Sequence, residues 1–181
     1  MSFRYLWCFA VAGICCLGPG CDQQKPPSAP DGSVTVTAAD FDAVEKAIAD
    51  AKGKVVLIDC WATWCGPCVQ SFPELVAKHR KYKDKGLFVI SLSLDHKEKI
   101  RDVEKFLQRR QANFTNFLLL RGPTAARGLE ERLRYQGGIP HGALFDRAGN
   151  LAWSGHPMDE TLTWKIETEL AKTNLITGDL P

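Results

Sequence analysis

Three cysteines lie within the segment IDCWATWCGPC (58–68), and two of them, Cys65 and Cys68, are separated only by Gly66 and Pro67. A pair at this spacing can be half of a zinc site, a structural disulfide or a redox-active dithiol. Zinc needs four ligands, but the chain has no second C-x-x-C pair and its four histidines are scattered. A disulfide closing so small a loop removes little entropy from the unfolded chain. The residues therefore favour redox chemistry.

Redox chemistry requires a thiolate, so the attacking cysteine needs a pKa below the usual value of about 8.5. The apolar run VVLID (55–59) predicts a buried strand directly before the pair, and the residues after the pair predict a helix. Cys65 is then expected at the helix N-terminus, where unpaired N–H groups and the helix dipole favour a thiolate. Cys68, one turn later, could resolve a mixed disulfide formed by Cys65. Pro67 suits a first helical turn because it has no N–H.

The elements that must position this pair follow from apolar patterns along the chain. Strand-like segments occur at 33–37, 55–59, 87–94, 114–120, 142–147 and 151–155. Stretches with helical spacing of apolar residues separate most of them and end the chain. Thr37 is expected to cap the first helix, with Asp40 three residues on. This order predicts one α/β domain with a central mixed sheet flanked by helices, whose site lies beyond the carboxyl ends of the strands.

Asp59 ends the strand that leads to the cysteine pair. If it is buried, desolvation raises its pKa and suits it to accept a proton; the alternative is a strand-end aspartate in solvent. Cys60 should project from the opposite face of the strand and fill core rather than serve as a regulatory thiol. Trp61 and Trp64 are expected at the rim of the site, with Trp64 the more exposed. His141 fits substrate contact and an ordinary surface position equally well.

These motifs resemble the active site of the thioredoxin superfamily. The segment Trp64-Cys65-Gly66-Pro67-Cys68, preceded by Trp61-Ala62, is similar to the thioredoxin motif, and Gly138-Ile139-Pro140 is similar to the cis-proline segment that faces it. The resemblance covers Val34 to about Ala171. It implies a thioredoxin-like fold, with Cys65 as nucleophile, Cys68 as resolving thiol and Asp59 as the group that takes the Cys68 proton. No metal or cofactor is implied besides the redox-active disulfide.

The same resemblance implies a substrate groove lined by Ile139, the cis-proline Pro140 and the motif residues Trp64, Gly66 and Pro67. Cys68 and Pro140 are 72 positions apart, more than in minimal thioredoxin. The additional strand and helix, at roughly 87–113, resemble the TlpA/ResA type of membrane-tethered thioredoxin. Pro73 fits that group. Ser71 departs from it, because the group often has a glutamate there, and this weakens any expectation of haem-maturation specificity.

The amino terminus predicts export. Residues 1–21, MSFRYLWCFAVAGICCLGPGC, carry one cation, Arg4, before an apolar run from Tyr5 to Leu17 that is short for a membrane span. The segment resembles a lipoprotein signal with Cys21 as the lipidated residue, although Leu17 lies four rather than three residues before it. A short buried helix is the alternative. Residues 22–33 are polar and proline-rich, which is typical of a tether, and residues 34–181 form the predicted domain.

Composition restricts the partners. A net charge of +2 with 24% charged residues gives no argument for binding nucleic acid. The two basic segments, RKYKDK (80–85) and Arg109–Arg110, are expected to be solvated helix ends. Export would leave Cys60, Cys65 and Cys68 in a compartment where disulfides persist.

The sequence thus predicts a monomeric, membrane-tethered thiol–disulfide oxidoreductase on the periplasmic side, which reduces protein disulfides with electrons from an upstream membrane donor. The Gly-Pro dipeptide between the cysteines matches thioredoxin, whose potential is near −270 mV, against about −120 mV for a strong oxidant. A disulfide oxidase or isomerase and a non-catalytic thioredoxin-fold binding module are the alternatives. The sequence leaves the substrate open.

Overall fold

The structure, a computed structural model, describes residues 34–172; the predicted signal segment, Cys21 and the tether lie outside the described residues. The strands are β1 (Thr37–Ala39), β2 (Val55–Trp61), β3 (Leu87–Ser93), β4 (Thr115–Leu119), β5 (His141–Phe145) and β6 (Leu151–Gly155). The α-helices are α1 (Phe41–Asp50), α2 (Gly66–Tyr82), α3 (Ile100–Arg110), α4 (Pro123–Arg127) and α5 (Glu160–Ala171). Short 3₁₀ turns cover Lys83–Lys85 and Lys97–Lys99, and a π turn covers Gly128–Arg132.

The strands form one mixed sheet in the order β1-β4-β3-β2-β5-β6. Strands β1, β4, β3 and β2 run parallel, whereas β5 is antiparallel to β2 and β6 is antiparallel to β5. Every residue of β2 is buried, as expected of a central strand covered on both faces. The predicted α/β class with a mixed central sheet is confirmed, and so is the strand–helix unit formed by β3 and α3.

Helices cover both faces of this sheet. One core cluster joins α2, α3 and α5 to the sheet through Phe72, Phe106 and Ile166. The other joins α1 and the α4 region through Val44 and Leu129. Neighbouring residues of β2 alternate between the two clusters, as in any strand. Each large apolar side chain in these clusters stabilises the fold by roughly 1.5–3 kcal/mol relative to leaving it exposed.

The start of the domain differs from the prediction. Strand β1 begins at Thr37 rather than at residue 33, because its ladder with β4 starts at the pair Thr37–Phe117. The Thr35 carbonyl instead accepts a hydrogen bond from the side-chain amide of Asn116, at 3.3 Å. Thr37 therefore lies inside a strand and cannot cap α1. Asp40 is the N-cap, and its carboxylate accepts a hydrogen bond from the Ala43 N–H at 3.1 Å.

Helix α2 begins where the sequence predicts it, whereas β2 continues two residues past its predicted end, to Trp61. Helix α2 begins directly after Cys65, and its last turn tightens to a 3₁₀ turn that ends at Gly86. Gly86 has φ +97°, a left-handed conformation that favours glycine at a helix end. Strand β3 follows at once, so α2 returns the chain to the opposite end of the sheet.

Candidate active site

The two cysteines lie where β2 gives way to α2. The Cys65 N–H donates to the Ala62 carbonyl at 3.1 Å, which closes a turn between strand and helix. Cys65 is the N-cap of α2, and its sulfur accepts a hydrogen bond from the Cys68 N–H at 3.2 Å. The structure joins Cys65 and Cys68 in a disulfide. A sulfur capped by a backbone N–H at a helix N-terminus is stabilised in its anionic form, as a nucleophilic thiolate requires.

The two cysteines differ in their exposure to solvent. Cys65 is 5% exposed and Cys68 only 1%, so Cys65 is the more accessible of the two. The indole of Trp64 is 65% exposed beside them, and Gly66 and Pro67 are exposed as well. The more accessible cysteine is thus the one for which the sequence predicts the attacking role, and that role stays a prediction.

Across from Cys65 lies the loop that precedes β5. The Ile139–Pro140 peptide bond is cis, as the resemblance implied. The Ile139 carbonyl oxygen is 3.8 Å from the Cys65 sulfur. The chain thus brings together two segments that are distant in sequence. Of the predicted groove residues, Trp64, Gly66 and Pro67 are neighbours of Cys65 in the chain, and Ile139 lies near its sulfur. Pro140 follows Ile139 through the cis peptide bond.

Asp59 is buried on the side of the sheet that α2 covers. Together with Ser71, Glu74 and Lys78 it lines a cavity of about 10 Å³, a space comparable to one water molecule. One carboxylate oxygen of Asp59 has no hydrogen-bond partner among the described residues. Burial raises the pKa of Asp59 from 3.8 to about 7, and the positive charge of Lys78 lowers it in part. A carboxyl group with this pKa can both accept and release a proton near neutral pH.

The polar lining of the cavity leads outward along α2. The Lys78 ammonium is 3.4 Å from Glu74, whose side chain is half exposed. Ser71, which replaces the glutamate of the TlpA/ResA pattern, donates its hydroxyl hydrogen bond to the Cys68 carbonyl at 3.2 Å. Asp59 and Ser71 were identifiable from the sequence, whereas Lys78 and Glu74 were missed. Their helical spacing from Ser71 was the available signal, since positions three and four apart share a helix face.

A second buried carboxylate holds the loop before Cys65. Asp95, two residues after the end of β3, accepts hydrogen bonds from the N–H and the hydroxyl of Thr63, at 2.9 and 2.6 Å. It also accepts one from the Ser93 hydroxyl at 2.8 Å. Sequence reasoning missed this anchor. The signal was an aspartate directly after the predicted strand 87–94.

Trp61 does not lie at the rim of the site, which corrects the prediction. Its side chain is fully buried, with ring centroids 4.8 Å from Phe72 and 4.7 Å from Phe106. It also lies in β2, beyond the predicted end of that strand. Helix α3 covers this position, so Trp61 supports the site from below while Trp64 alone reaches solvent.

Cys60 and His141 occupy the other face of the sheet. They are directly paired in the β2–β5 ladder, so their side chains share a face that Asp59 does not. Cys60 is a fully buried free thiol, and burial, with the Asp59 charge, raises its pKa. The His141 ring is buried 2.9 Å from the Leu133 carbonyl, with Tyr135 packed edge-on. His141 is thus neither a surface residue nor a residue of the groove.

Residues 34–172 show no sign of two other kinds of site. No group of three or more His, Cys, Asp or Glu side chains in this range is arranged to hold a metal ion. No helix in the same range has the length and apolar character needed to cross a bilayer.

Comparison with known proteins places this site in a family. The Redoxin family model matches residues 24–169. The thiol-disulfide oxidoreductase ResA of Oceanobacillus iheyensis is 31% identical over 87 residues, which are 48% of this chain and 44% of that protein. The chain therefore spans less than half the length of this curated relative.

Solved structures extend the likeness over most of the domain. A Chlorobium tepidum protein assigned as the thiol:disulfide interchange protein DsbE is 38% identical, with a TM-score of 0.57, over 68% of this chain and 84% of that one. The thioredoxin-like superfamily protein SPOA0173 matches over 68% of this chain and 84% of its own, with a TM-score of 0.56. At 24% identity it supports the fold alone. The expected thioredoxin-like fold is confirmed.

Proposed function

Because this chain belongs to the Redoxin family and is a ResA-like member of the thioredoxin superfamily, we propose that it is a thiol–disulfide oxidoreductase that reduces disulfides in protein substrates. The observation that carries this proposal is the geometry at Cys65. Its sulfur caps α2, is bonded to the buried Cys68, and lies 3.8 Å from the carbonyl before the cis-proline Pro140. The cysteine pair is the only redox group that the reaction requires, so no cofactor is needed.

The reaction starts from the reduced pair. The Cys65 thiolate attacks one sulfur of the substrate disulfide; a Cys65–substrate bond forms, the substrate S–S bond breaks, and one substrate thiolate leaves. Asp59 then accepts the Cys68 proton, and the Cys68 thiolate attacks the Cys65 sulfur. The second substrate thiolate leaves, and the Cys65–Cys68 disulfide forms. The substrate gains two electrons, and the protein loses two.

Continued turnover requires a dithiol donor that reduces the Cys65–Cys68 disulfide again. We place the protein on the extracytoplasmic side of a membrane, anchored through Cys21, with a membrane-bound donor upstream. The signal-like segment 1–21 and the proline-rich segment 22–33 support this location. Substitution Cys21→Ser should abolish incorporation of radiolabelled palmitate in cells. Equal labelling of both proteins would contradict the anchor without affecting the redox proposal.

Insulin reduction tests the activity. The wild-type protein with a dithiol donor should precipitate the insulin B chain, whereas Cys65→Ser should be inactive and Cys60→Ala should match the wild type. Unchanged insulin reduction by Cys65→Ser would contradict the assignment. Failure of the wild-type protein to reduce insulin, with partner binding unchanged in Cys65→Ser, would instead indicate a non-catalytic binding module.

The direction of electron flow is tested separately, by equilibrating the Cys65–Cys68 pair with glutathione redox buffers. The Gly66-Pro67 dipeptide supports a reducing pair, with a potential near that of thioredoxin, roughly −270 mV. A value above about −180 mV would indicate an oxidase or isomerase instead. The substrate can be trapped with Cys68→Ala, which forms the mixed disulfide but cannot resolve it.

A further inference from the structure

The two basic segments, far apart in sequence, meet in one groove. The carboxyl-terminal ends of α2 and α3 form an open depression of about 610 Å³. It is lined by residues of α2 and by residues at the end of α3, namely Pro73, Val76, Ala77, Arg80, Lys81, Arg109, Arg110 and Gln111. The sequence predicted separate solvated helix ends. Both segments do end helices, but tertiary packing concentrates their charges at one place, which is here called the basic groove.

Most of this charge is not neutralised within the described residues. Arg80 donates to the Gln111 side-chain carbonyl at 2.7 Å, and Arg110 lies over the Phe106 ring at 5.3 Å. Among residues 34–172, Lys81 forms an ion pair with Glu167 at 3.3 Å, but no carboxylate pairs with Arg80, Arg109 or Arg110. Cations at a helix end are favourable individually. That effect does not account for unpaired guanidinium groups that converge from two helices.

The groove lies beside the point where the amino-terminal segment joins the domain. The side-chain amide of Asn116 donates to the Thr35 carbonyl at 3.3 Å and to the Ala112 carbonyl at 3.0 Å. Ala112 follows the groove residue Gln111 directly in the chain. The segment that leads back to Cys21 therefore meets the domain next to the basic groove.

The reactive cysteines lie at the other end of the molecule. Cys65 caps the start of α2, whereas Arg80 lies fifteen residues further along the chain, in its last turn. At about 1.5 Å per residue the two ends are separated by roughly 22 Å. A surface that contacts Arg80 and the arginines at the end of α3 therefore lies far from the start of α2, where Cys65 is.

From this geometry we infer that the basic groove binds the anionic phospholipid headgroups of the membrane to which Cys21 tethers the chain; the inference rests on that proposed anchor. Arginine guanidinium groups bind phosphate oxygens in pairs of hydrogen bonds. Residues 22–33 can span at most about 40 Å when fully extended, so the domain stays near the bilayer. Because the tether meets the domain beside the groove, the groove faces the membrane and the cysteine pair faces away from it.

Hydrogen exchange on the vesicle-bound full-length chain tests this orientation. Vesicles of phosphatidylcholine are compared with vesicles that also contain phosphatidylglycerol. On the anionic vesicles we expect slower exchange at 80–85 and 109–113 than on the neutral ones, with no change around Cys65. The double variant Arg80→Glu/Arg109→Glu should lose this protection and lose roughly tenfold or more of its preference for anionic over neutral vesicles.

The matched control is Lys97→Glu/Arg101→Glu, which makes the same charge change near the opposite end of α3. It should keep both the protection and the lipid preference, and all three proteins should reduce insulin equally. Equal exchange on the two kinds of vesicle, or an equal loss in the control, would overturn the inference. Either result would instead favour an acidic protein surface as the ligand of the basic groove. Loss of insulin reduction with intact protection would count against the proposed function alone.

Discussion

The carboxylate of Asp95 accepts two hydrogen bonds from Thr63, one from its N–H at 2.9 Å and one from its hydroxyl at 2.6 Å. Thr63 is two residues before Cys65, and Asp95 is 1% exposed. Strand β3 thus fixes the turn that delivers the reactive sulfur to the start of α2. The Leu94 N–H, which donates to the Trp61 carbonyl at 2.8 Å, reinforces the same connection.

We expect Asp95→Asn to destabilise the protein by about 1–3 kcal/mol, because the amide can replace only part of the acceptor capacity and leaves a buried polar group unsatisfied. Insulin reduction should fall several-fold as the turn before Cys65 loosens. Urea unfolding and the insulin assay measure the two effects. Thr63→Ser, which keeps both donors, serves as the control. Wild-type stability and activity in Asp95→Asn would show that the turn needs no anchor.

Asp59 should make the reaction pH-dependent. The pKa of Asp59 is raised to about 7, so the fraction of molecules with an ionised Asp59 carboxylate grows as the pH rises through neutrality. Only these molecules can accept the Cys68 proton, so the rate of insulin reduction should rise with pH over this range. Asp59→Asn should slow insulin reduction by about a hundredfold, which is within the usual range for a lost general base. It should also remove the increase of the rate with pH.

Lys78→Gln should move the pH-dependent increase in the rate of insulin reduction to higher pH, because the Lys78 charge lowers the pKa of Asp59. Lys78→Arg keeps the charge and should leave the profile near that of the wild type. A shift to lower pH in Lys78→Gln, or the same shift in Lys78→Arg, would disprove the electrostatic account.

Burial of Asp59 should lower the stability of the folded protein at neutral pH. Its pKa in the folded protein, about 7, lies above its ordinary value of 3.8, so the folded state holds the proton more tightly than the unfolded state. Stability from this group is complete below about pH 4 and is lost as the pH rises through 7, by at most about 4 kcal/mol. Urea unfolding at pH 5 and 8 should show a larger loss in the wild type than in Asp59→Asn. An equal loss in both proteins would mean that Asp59 is ionised as readily when folded as when unfolded.

The Cys60 thiol should be unreactive toward alkylating reagents in the folded protein. Because the thiol is fully buried and burial raises its pKa, iodoacetamide should label it at least about a hundredfold more slowly than in urea. Mass spectrometry of the peptide that contains Cys60 measures the rate directly. Rapid labelling under native conditions would indicate an accessible thiol and reopen a regulatory role.

The aromatic cluster beneath the site should contribute strongly to stability. Phe106 packs against Trp61 and Phe72, at ring-centroid distances of 4.7 and 5.0 Å. Phe106→Ala should cost about 3–5 kcal/mol, and Phe106→Leu clearly less, because leucine refills most of the cavity. Urea unfolding followed by tryptophan fluorescence compares the two. Equal losses would mean that ring packing, rather than volume, dominates.

Local features of the site could be predicted from the sequence, because they depend on neighbours in the chain. The Cys65–Cys68 contact follows from one helical turn. The apolar run 55–59 made burial of Asp59 one of two open possibilities, and burial holds because β2 continues through Cys60 to Trp61. The alternation of side chains along β2 likewise suffices to place Asp59 and Cys60 on opposite faces of the sheet.

Features that depend on distant segments could not be predicted. Asp95 and Thr63 are 32 residues apart, and only the pairing of β2 with β3 brings them together. Trp61 is buried because α3 packs over it, a position that apolar spacing within α3 does not reveal. The basic groove has the same origin, since its arginines come from two helices whose crossing is set by the core between them.

The pairing of β2 also determines which chemistry each residue performs. Asp59 pairs with Ser91 of β3 and Gly142 of β5, and Cys60 pairs with the adjacent residue on each of these strands. A shift of this strand by a single residue would exchange the two side chains, moving the proton acceptor into the far core and the unreactive thiol beneath the disulfide. The activity therefore depends on the length of the β2 segment. A one-residue deletion within it would abolish function even if the sheet still formed.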